Sequence, residues 1–492
     1  MKVKSREVDA MKTFMTPTTA LLVVGIISAG VLFFGYFISK KMKKNSKDFL
    51  YAGRNVGLAL STATLIAAWV TGNTTMSAPE QGYTLGLIAC FGYALAGLSL
   101  VIFAPLALRI KNIMPDGCTS GDFIRLRYGK AVWVIYLLFS IWYFLGFLMT
   151  QAMAGGLLLQ ALSGLDYKIG MLLVMIVCTL YTLKGGLKAI LGTDFLLSLI
   201  IMIVLLVTAV LSFSKFGLNN VYQKVLEAKP ETMNLISGAG LMYIGSNFLF
   251  ASGEIFHSNI WWQRIYASNK KVVAKSFVFS GLIWTTVPVI AGSLAFIAIA
   301  NGYTIPQVNM VFPIVVSELL GGFGSVLVLL VIYAALISTV SSVLTSSANL
   351  LVQDIYKSLI NQRASDEKIV KYVQYTILGL STLAVCLVWT PKTSMYQLLL
   401  LTGPAVASLV WPIAYGVFNK KSNGKVVFVA LICGMASGLY GYFGVSSYAA
   451  PIFACAISGL ITVLGSKMFP DRDFKWSSLN KAMQQALARQ EQ

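Results

Sequence analysis

LSTATLIAAWVTGNTTMSAPEQGYTLG, residues 60–86, begins as an apolar helix and loses that character halfway, at Thr71, Gly72, Asn73 and Thr74. Glycine and polar side chains at mid-membrane free backbone amides and carbonyls from helical pairing, and lipid tolerates this only where a cavity or a ligand takes them up. A second such segment is GLMYIGSNFLFASGEIFHSNIWW, residues 240–262, with interruptions expected at Gly245, Ser246 and Asn247 and again at Ser252, Gly253 and Glu254. Paired interruptions at matching points of two halves point to a transporter built from inverted repeats, with its site near the bilayer midplane.

The composition supports a membrane reading. Of 492 residues, 57% are hydrophobic and 11% charged, with mean hydropathy +0.76; a soluble globule carries about a quarter charged residues. About thirteen apolar segments of spanning length lie between residues 17 and 468. Five spans separate the two breaks. Repeat one then covers residues 57–213 and repeat two residues 238–418, the odd number inverting the second. Residues 1–56 form an N-terminus, an extra span and a loop, 426–468 two further spans, and 469–492 a tail that ends in one short amphipathic helix. The predicted fold is an all-α polytopic bundle whose first and sixth core helices are broken.

The net charge of +20 comes from basic residues dispersed among short loops, which excludes a nucleic-acid-binding patch. With the N-terminus outside, most of the 38 Lys and Arg fall on the cytoplasmic side, SKKMKKNSKD (39–48) prominent among them, so the C-terminus is predicted inside. The first apolar run is long and lacks a small-residue cleavage pattern. The six cysteines show no metal-ligand spacing, and neither a disulfide framework nor a zinc site is expected. No nucleophile, base and orienting group assemble into an enzyme site.

The apolar stretch GSVLVLLVIYAALISTVSSVLTSSANLLVQDIY, residues 324–356, carries seven hydroxyls in its middle. Helical spacing puts Ala335, Ser338, Thr339 and Ser342 on one stripe. Uncharged hydroxyls at membrane depth suit a dehydrated alkali cation, which takes oxygen ligands; helix packing is the competing use. Asp194 lies about ten residues into KGGLKAILGTDFLLSLIIMIVLL (184–206). There an ionised carboxylate costs about 2.5–3.5 kcal/mol or more. With no Lys or Arg expected at that depth, its partner is a bound cation, a proton, or hydroxyls such as Ser341 and Ser342, with Lys188 snorkelling toward it as the alternative. His257 reads as a packed span-end histidine or a proton relay, Trp262 and Arg264 as interfacial anchors, and Trp261 as a gate.

Four motifs, KDFLYAGRN (47–55), GGLKAILGTD (185–194), WWQRIYAS (261–268) and AALISTVSSVLTSSANLLVQDIY (334–356), resemble those of the sodium/solute symporter family, which includes sodium/glucose, proline, sialic acid and urea transporters. The resemblance implies two inverted five-helix repeats and a sodium ion held by the carbonyls of Ala67 and Val70, the carbonyl of Ala335, and the hydroxyls of Ser338 and Thr339. It implies a possible second sodium at Asp194, Ser338, Ser341 and Ser342. Two positions around that second site depart from the family pattern: Gly192 stands where it has Trp, and Leu197 where it has Gln. Tyr93 and Thr74 replace the glutamate and glutamine of sugar-transporting members, which disfavours a sugar. Trp69, Tyr83, Gly86, Tyr93 and Trp262-Gln263-Arg264 resemble the urea and polyamine branch, although Ser258 and Asn259 replace its Asp-Gln.

By position, the substrate pocket is predicted at Asn73, Thr74, Tyr93, Asn247, Glu254, Ser258 and Gln397. Amide side chains both donate and accept, which suits an uncharged or zwitterionic solute. The expected function is sodium-coupled import of a small polar solute, urea-like, an amino acid or a related nitrogenous compound, by a multi-pass plasma-membrane carrier that is a monomer or weak homo-oligomer. Proton coupling through Asp194, Glu254 or His257 is the rival, and a membrane sensor or channel on the same fold the more distant one.

Overall fold

The computed structural model describes residues 13–40, 46–390 and 393–479; the side chains of residues 39, 46–48 and 73 lie outside that description, as does the expected amphipathic helix beyond residue 479. Among the described residues the chain is helical apart from turns and one isolated bridge between Val56 and Ser268. The helices are α1 (Pro17–Ser39), α2 (Leu58–Trp69), α3 (Gly72–Leu85), α4 (Leu87–Leu95), α5 (Leu98–Ile113), α6 (Ser120–Tyr128), α7 (Lys130–Ser163), α8 (Tyr167–Phe216), α9 (Gly238–His257) and α10 (Asn259–Ala267). They continue as α11 (Val273–Ala300), α12 (Val311–Leu351) and α13 (Asp366–Leu387). The short pieces Met395–Leu400 and Gly403–Ser408 lead into α14 (Val410–Phe418), followed by α15 (Gly424–Tyr440) and α16 (Ala449–Met468).

Ten described segments are long and apolar enough to cross a membrane, against the thirteen expected. Two physical features account for much of the difference. Residues 167–216 run as one 50-residue helix where two spans are expected, bent at Gly186, whose φ of 57° few side chains adopt. The first broken span, moreover, is cut at Trp69 into a 12-residue piece too short for a crossing, and the 20-residue α9 is long enough but too polar to count as one.

The first break is where the sequence places it. Val70 and Thr71 are extended, with ψ of 92° and 168°. Thr71 and Thr74 then cap α3 reciprocally, each side chain accepting from the other's backbone amide. The second differs from expectation. α9 runs unbroken through Gly245–Asn247 and Ser252–Glu254, and the chain breaks at Ser258, which caps α10. The small residues there serve close packing: the Ser252 hydroxyl bonds that of Ser99 at 2.9 Å, and Gly253 lies against the backbone of Val406 and Ala407.

α12 is the centre of the bundle. In the segment around it, 83% of the most apolar window is buried, against 22% for α1, whose Leu22, Ile26 and Phe33 point outward as lipid-facing residues do. Its serines and threonines are therefore turned toward other helices rather than toward lipid. Gly86 adopts φ 84°, and a Cβ there would collide with the Thr232 backbone. Gly86→Ala is expected to destabilise the fold by roughly 1–3 kcal/mol through strain and overpacking. Gly238→Ala, where a Cβ meets open space, serves as the control, both read as thermal unfolding of the purified protein.

Candidate functional site

At the first break the backbone ladder is interrupted beside α12. The amide of Val70 still pairs with the Ile66 carbonyl at 2.8 Å, but the amide of Thr71, next in register to pair with Ala67, turns to the Thr74 hydroxyl at 3.3 Å. The break thus turns the Ala67 carbonyl out of the helical ladder. Just beyond it, Gly72 packs against Leu336 of α12. One turn along that helix, Thr339 is fully buried and its Oγ1 has no hydrogen-bond partner among the described residues. An orphaned buried hydroxyl costs about 1–3 kcal/mol unless a ligand engages it. Ala335, one turn back from Thr339, is buried on the same face.

Ser338 is engaged differently: its Oγ donates to Asp194 Oδ1 at 2.6 Å. Asp194 is fully buried, and its Oδ2 accepts from Thr64 Oγ1 of α2 at 2.7 Å and from Arg264 Nη2 at 3.4 Å. Arg264 reaches further, from Nη2 to Ser342 Oγ at 2.8 Å, from Nε to Thr64 Oγ1 at 3.2 Å and from Nη1 to the Ile260 carbonyl at 3.2 Å. The expectation that no cation shares the depth of Asp194, and that Arg264 and Trp262 are interfacial anchors, is overturned. Arg264 is 1% and Trp262 0% exposed. The second break at Ser258 lets α10 turn inward, so its residues do not continue the span outward to the membrane surface. Lys188 takes no part in this network. Ser341 donates back to the Ile337 and Ser338 carbonyls. Of the predicted second-ion set, Asp194 and Ser342 meet at Arg264 and Ser338 joins through Asp194, while Ser341 stays on its own helix.

Above this network lies a small, partly open cavity of about 40 Å³. Thr74, Tyr93, Asn247 and Glu254 line it, four of the seven predicted pocket residues, together with Trp69, Trp284, Phe147, Phe250 and Tyr396. Trp69 and Trp284 stack at 4.2 Å, Tyr93 stacks on Trp284 at 6.2 Å, and Trp261 meets Trp69 edge-on at 5.7 Å from beneath. Among the described lining residues Glu254 is the one charged side chain; it is 5% exposed, and its carboxyl group lies beside the Tyr143 hydroxyl and the Trp69 indole. Three residues on, His257 donates from Nδ1 to the Gly253 carbonyl at 2.6 Å, the Tyr143 ring packs on it edge-on at 5.0 Å, and its Nε2 is buried with no hydrogen-bond partner among the described residues.

The remaining pocket expectations fall elsewhere. Ser258 is spent on capping α10, Gln397 sits exposed with its side chain on Thr393, and the Asn73 side chain lies outside the described residues. Tyr396, one residue before Gln397, takes the lining position. Trp284 was not anticipated; its one signal is the single tryptophan midway along an apolar span.

On the far side of the Trp261 ring from the cavity, side chains bridge the helices. Asn259 joins α6 to α12 through Ser120 and the Ser346 carbonyl, Gln263 joins Ser346 to the Leu50 carbonyl, and Lys111 bonds the Tyr266 carbonyl at 2.9 Å.

A broken helix beside a hydroxyl-bearing one, with an aromatic cavity above, is an arrangement that binds and moves solutes, and comparison with known proteins agrees. A urea-proton symporter of rice is 26% identical over 433 residues, covering 80% of this chain and 60% of the relative's length, so the chain spans about 60% of that protein. An osmoregulated proline transporter of Bacillus subtilis is 24% identical over 432 residues, 85% of this chain and 88% of the relative. A sodium-coupled sialic acid symporter, solved substrate-bound and outward-open, superposes with a TM-score of 0.80 at 17% identity, over 93% of this chain and 99% of that one. That likeness establishes the shared fold of two inverted five-helix repeats with broken first and sixth core helices. The model of the sodium:solute symporter family matches residues 49–434, and the chain belongs to that family of membrane transporters.

Proposed function

We propose that this chain imports a small polar nitrogenous solute, driven by sodium, through alternating access of the two repeats (residues 57–213 and 238–418). The observation that carries the reading is the orphaned Thr339 hydroxyl beside the first break, where helical pairing no longer claims the Ala67 carbonyl. Sodium is taken by the carbonyls of Ala67, Val70 and Ala335 and the hydroxyls of Ser338 and Thr339, five oxygens from two segments. Binding ties α2 to α12 and favours the state in which the cavity accepts solute; closure over Trp69, Tyr93 and Trp284 follows. Opening of the Asn259, Gln263 and Lys111 contacts then releases both to the other side.

One positive charge moving through 100 mV contributes about 2.3 kcal/mol to uphill transport. A second sodium at Asp194, Ser338, Ser341 and Ser342 requires Arg264 to leave Asp194 and Ser342, so one ion per cycle is the proposed stoichiometry. The N-terminus lies outside, the C-terminus and the 469–492 tail inside, the carrier resides in the plasma membrane, and the functional unit is the single chain.

Thr339→Ala is expected to raise the half-saturating sodium concentration about tenfold, equivalent to about 1.4 kcal/mol, while thermal unfolding shifts little because no hydrogen bond is lost. Uptake into proteoliposomes at varied sodium measures this; unchanged sodium dependence in both Thr339→Ala and Ser338→Ala would refute the assignment.

Breaking the buried ion pair is a different matter. Arg264→Ala leaves Asp194 charged without its cation and is expected to cost about 3–5 kcal/mol of stability, whereas Asp194→Asn with Arg264→Gln together should recover much of that, as a double-mutant cycle on unfolding would record.

For the solute, the lining offers an acceptor at Glu254, an amide at Asn247, a hydroxyl at Thr74 and flat aromatic faces, which suits planar amides and amines bearing N–H donors. A thermal-shift screen of the purified carrier with small amides, amino acids and amines, each with and without sodium, identifies the class. Glu254→Gln is expected to weaken substrate activation at least tenfold, and Gln397→Ala to leave it within twofold.

The buried Glu254 carboxyl, the Tyr143 hydroxyl beside it and the unpartnered Nε2 of His257 favour a second reading, proton coupling through that cluster. It is distinguished by uptake that tracks an imposed pH gradient in sodium-free buffer.

A further inference from the structure

We propose that a groove at the basic end of α14 binds one anionic phospholipid, its headgroup on Lys420 and Lys421 and its acyl chains along the helix. Trp411, Tyr415 and Phe418 stand four and seven residues apart, on one face of α14. Trp411 is 42% and Phe418 54% exposed, and in a chain that spans the bilayer such a face meets lipid. At 1.5 Å per residue the stripe is about 10 Å long, a length that matches the upper part of an acyl chain.

The helix stops at Phe418, and the next turn delivers two ammonium groups to the end of the stripe. That turn is fixed. Arg127 Nη2 donates to the carbonyls of Asn419 and Lys420 at 3.0 Å each, and the Asp471 amide donates to the Lys421 carbonyl at 3.0 Å. The Lys420 and Lys421 side chains are exposed, and neither forms an ion pair with a described residue. The nearby acid, Asp471, is engaged by Arg127 at 3.5 Å. The opposite wall is Trp476, held by Arg109 at 4.9 Å and by Phe474 edge-on at 5.0 Å. The space between these walls is an open groove.

An aromatic stripe leading into unspent positive charge is complementary to a molecule with a negative phosphodiester on a hydrocarbon stem. A zwitterionic lipid lacks the net charge, and a free phosphate lacks the stem. Interfacial lysines attract anionic lipid through the charge at its headgroup.

Native mass spectrometry of the full-length protein, taken from nanodiscs of equal parts phosphatidylglycerol and phosphatidylcholine, tests this. The wild type is expected to retain phosphatidylglycerol at least tenfold over phosphatidylcholine. Lys420→Gln with Lys421→Gln should bring the ratio near parity, Phe418→Ala should lower total retained lipid, and Lys270→Gln with Lys271→Gln, a basic pair without an aromatic stripe, should change neither. Thermal unfolding of each variant verifies that it is folded. Equal retention of both lipids by the wild type, equal loss in the two lysine double variants, or displacement of the lipid by millimolar glycerol 3-phosphate would each overturn the proposal.

Discussion

The buried contact between Asp194 and Arg264 is the constraint on which the rest of the bundle depends. With no water in the hydrocarbon layer, neither charge is tolerable without the other, and each still needs its remaining hydrogen-bonding capacity filled. Thr64, Ser338 and Ser342 fill it. Those five residues come from α2, α8, α10 and α12, so satisfying one ion pair fixes the lower half of the first broken span against the serine-rich helix. The geometry of the first break, and the direction in which its freed carbonyls face, follow from that anchoring.

Above the pair, aromatic packing takes over from charge. Trp69 stands at the end of α2, stacked on Trp284 and propped from beneath by Trp261. The last ring before the break is thereby held as a floor to the cavity, and the polar groups that reach the space, Thr74, Asn247 and Glu254, are few enough to impose orientation on a small solute. Thr71 and Thr74 satisfy each other at the start of α3. That helix end therefore has less to offer an anionic group than an uncapped one would.

Much of this was legible in the sequence, and the part that was not has a common cause. Loss of apolar character at Thr71–Thr74 marked the first break because a cap needs hydroxyls and an interrupted ladder needs small residues; the hydroxyl stripe of residues 338–342 marked the central helix for the same kind of reason. The second break escaped because glycine and serine in a helix interior have two uses, interruption and close packing, and at residues 245–254 the second prevailed. From that followed the misplacement of Arg264 and Trp262: depth was judged by distance along an apparently straight span, and the turn at Ser258 redirects α10 into the bundle. Gln397 and Tyr396 differ by a single helical position, about 100° of rotation, which hydropathy alone does not resolve in a segment broken into short pieces.

The approach of Gly253 to Val406 and Ala407 bears on how such a molecule moves. Where two main chains touch without side chains between them, there is no compressible layer to absorb a change of angle. Any change of angle between the second half of α9 and the Gly403–Ser408 piece would press main chain on main chain, so this contact favours their moving together.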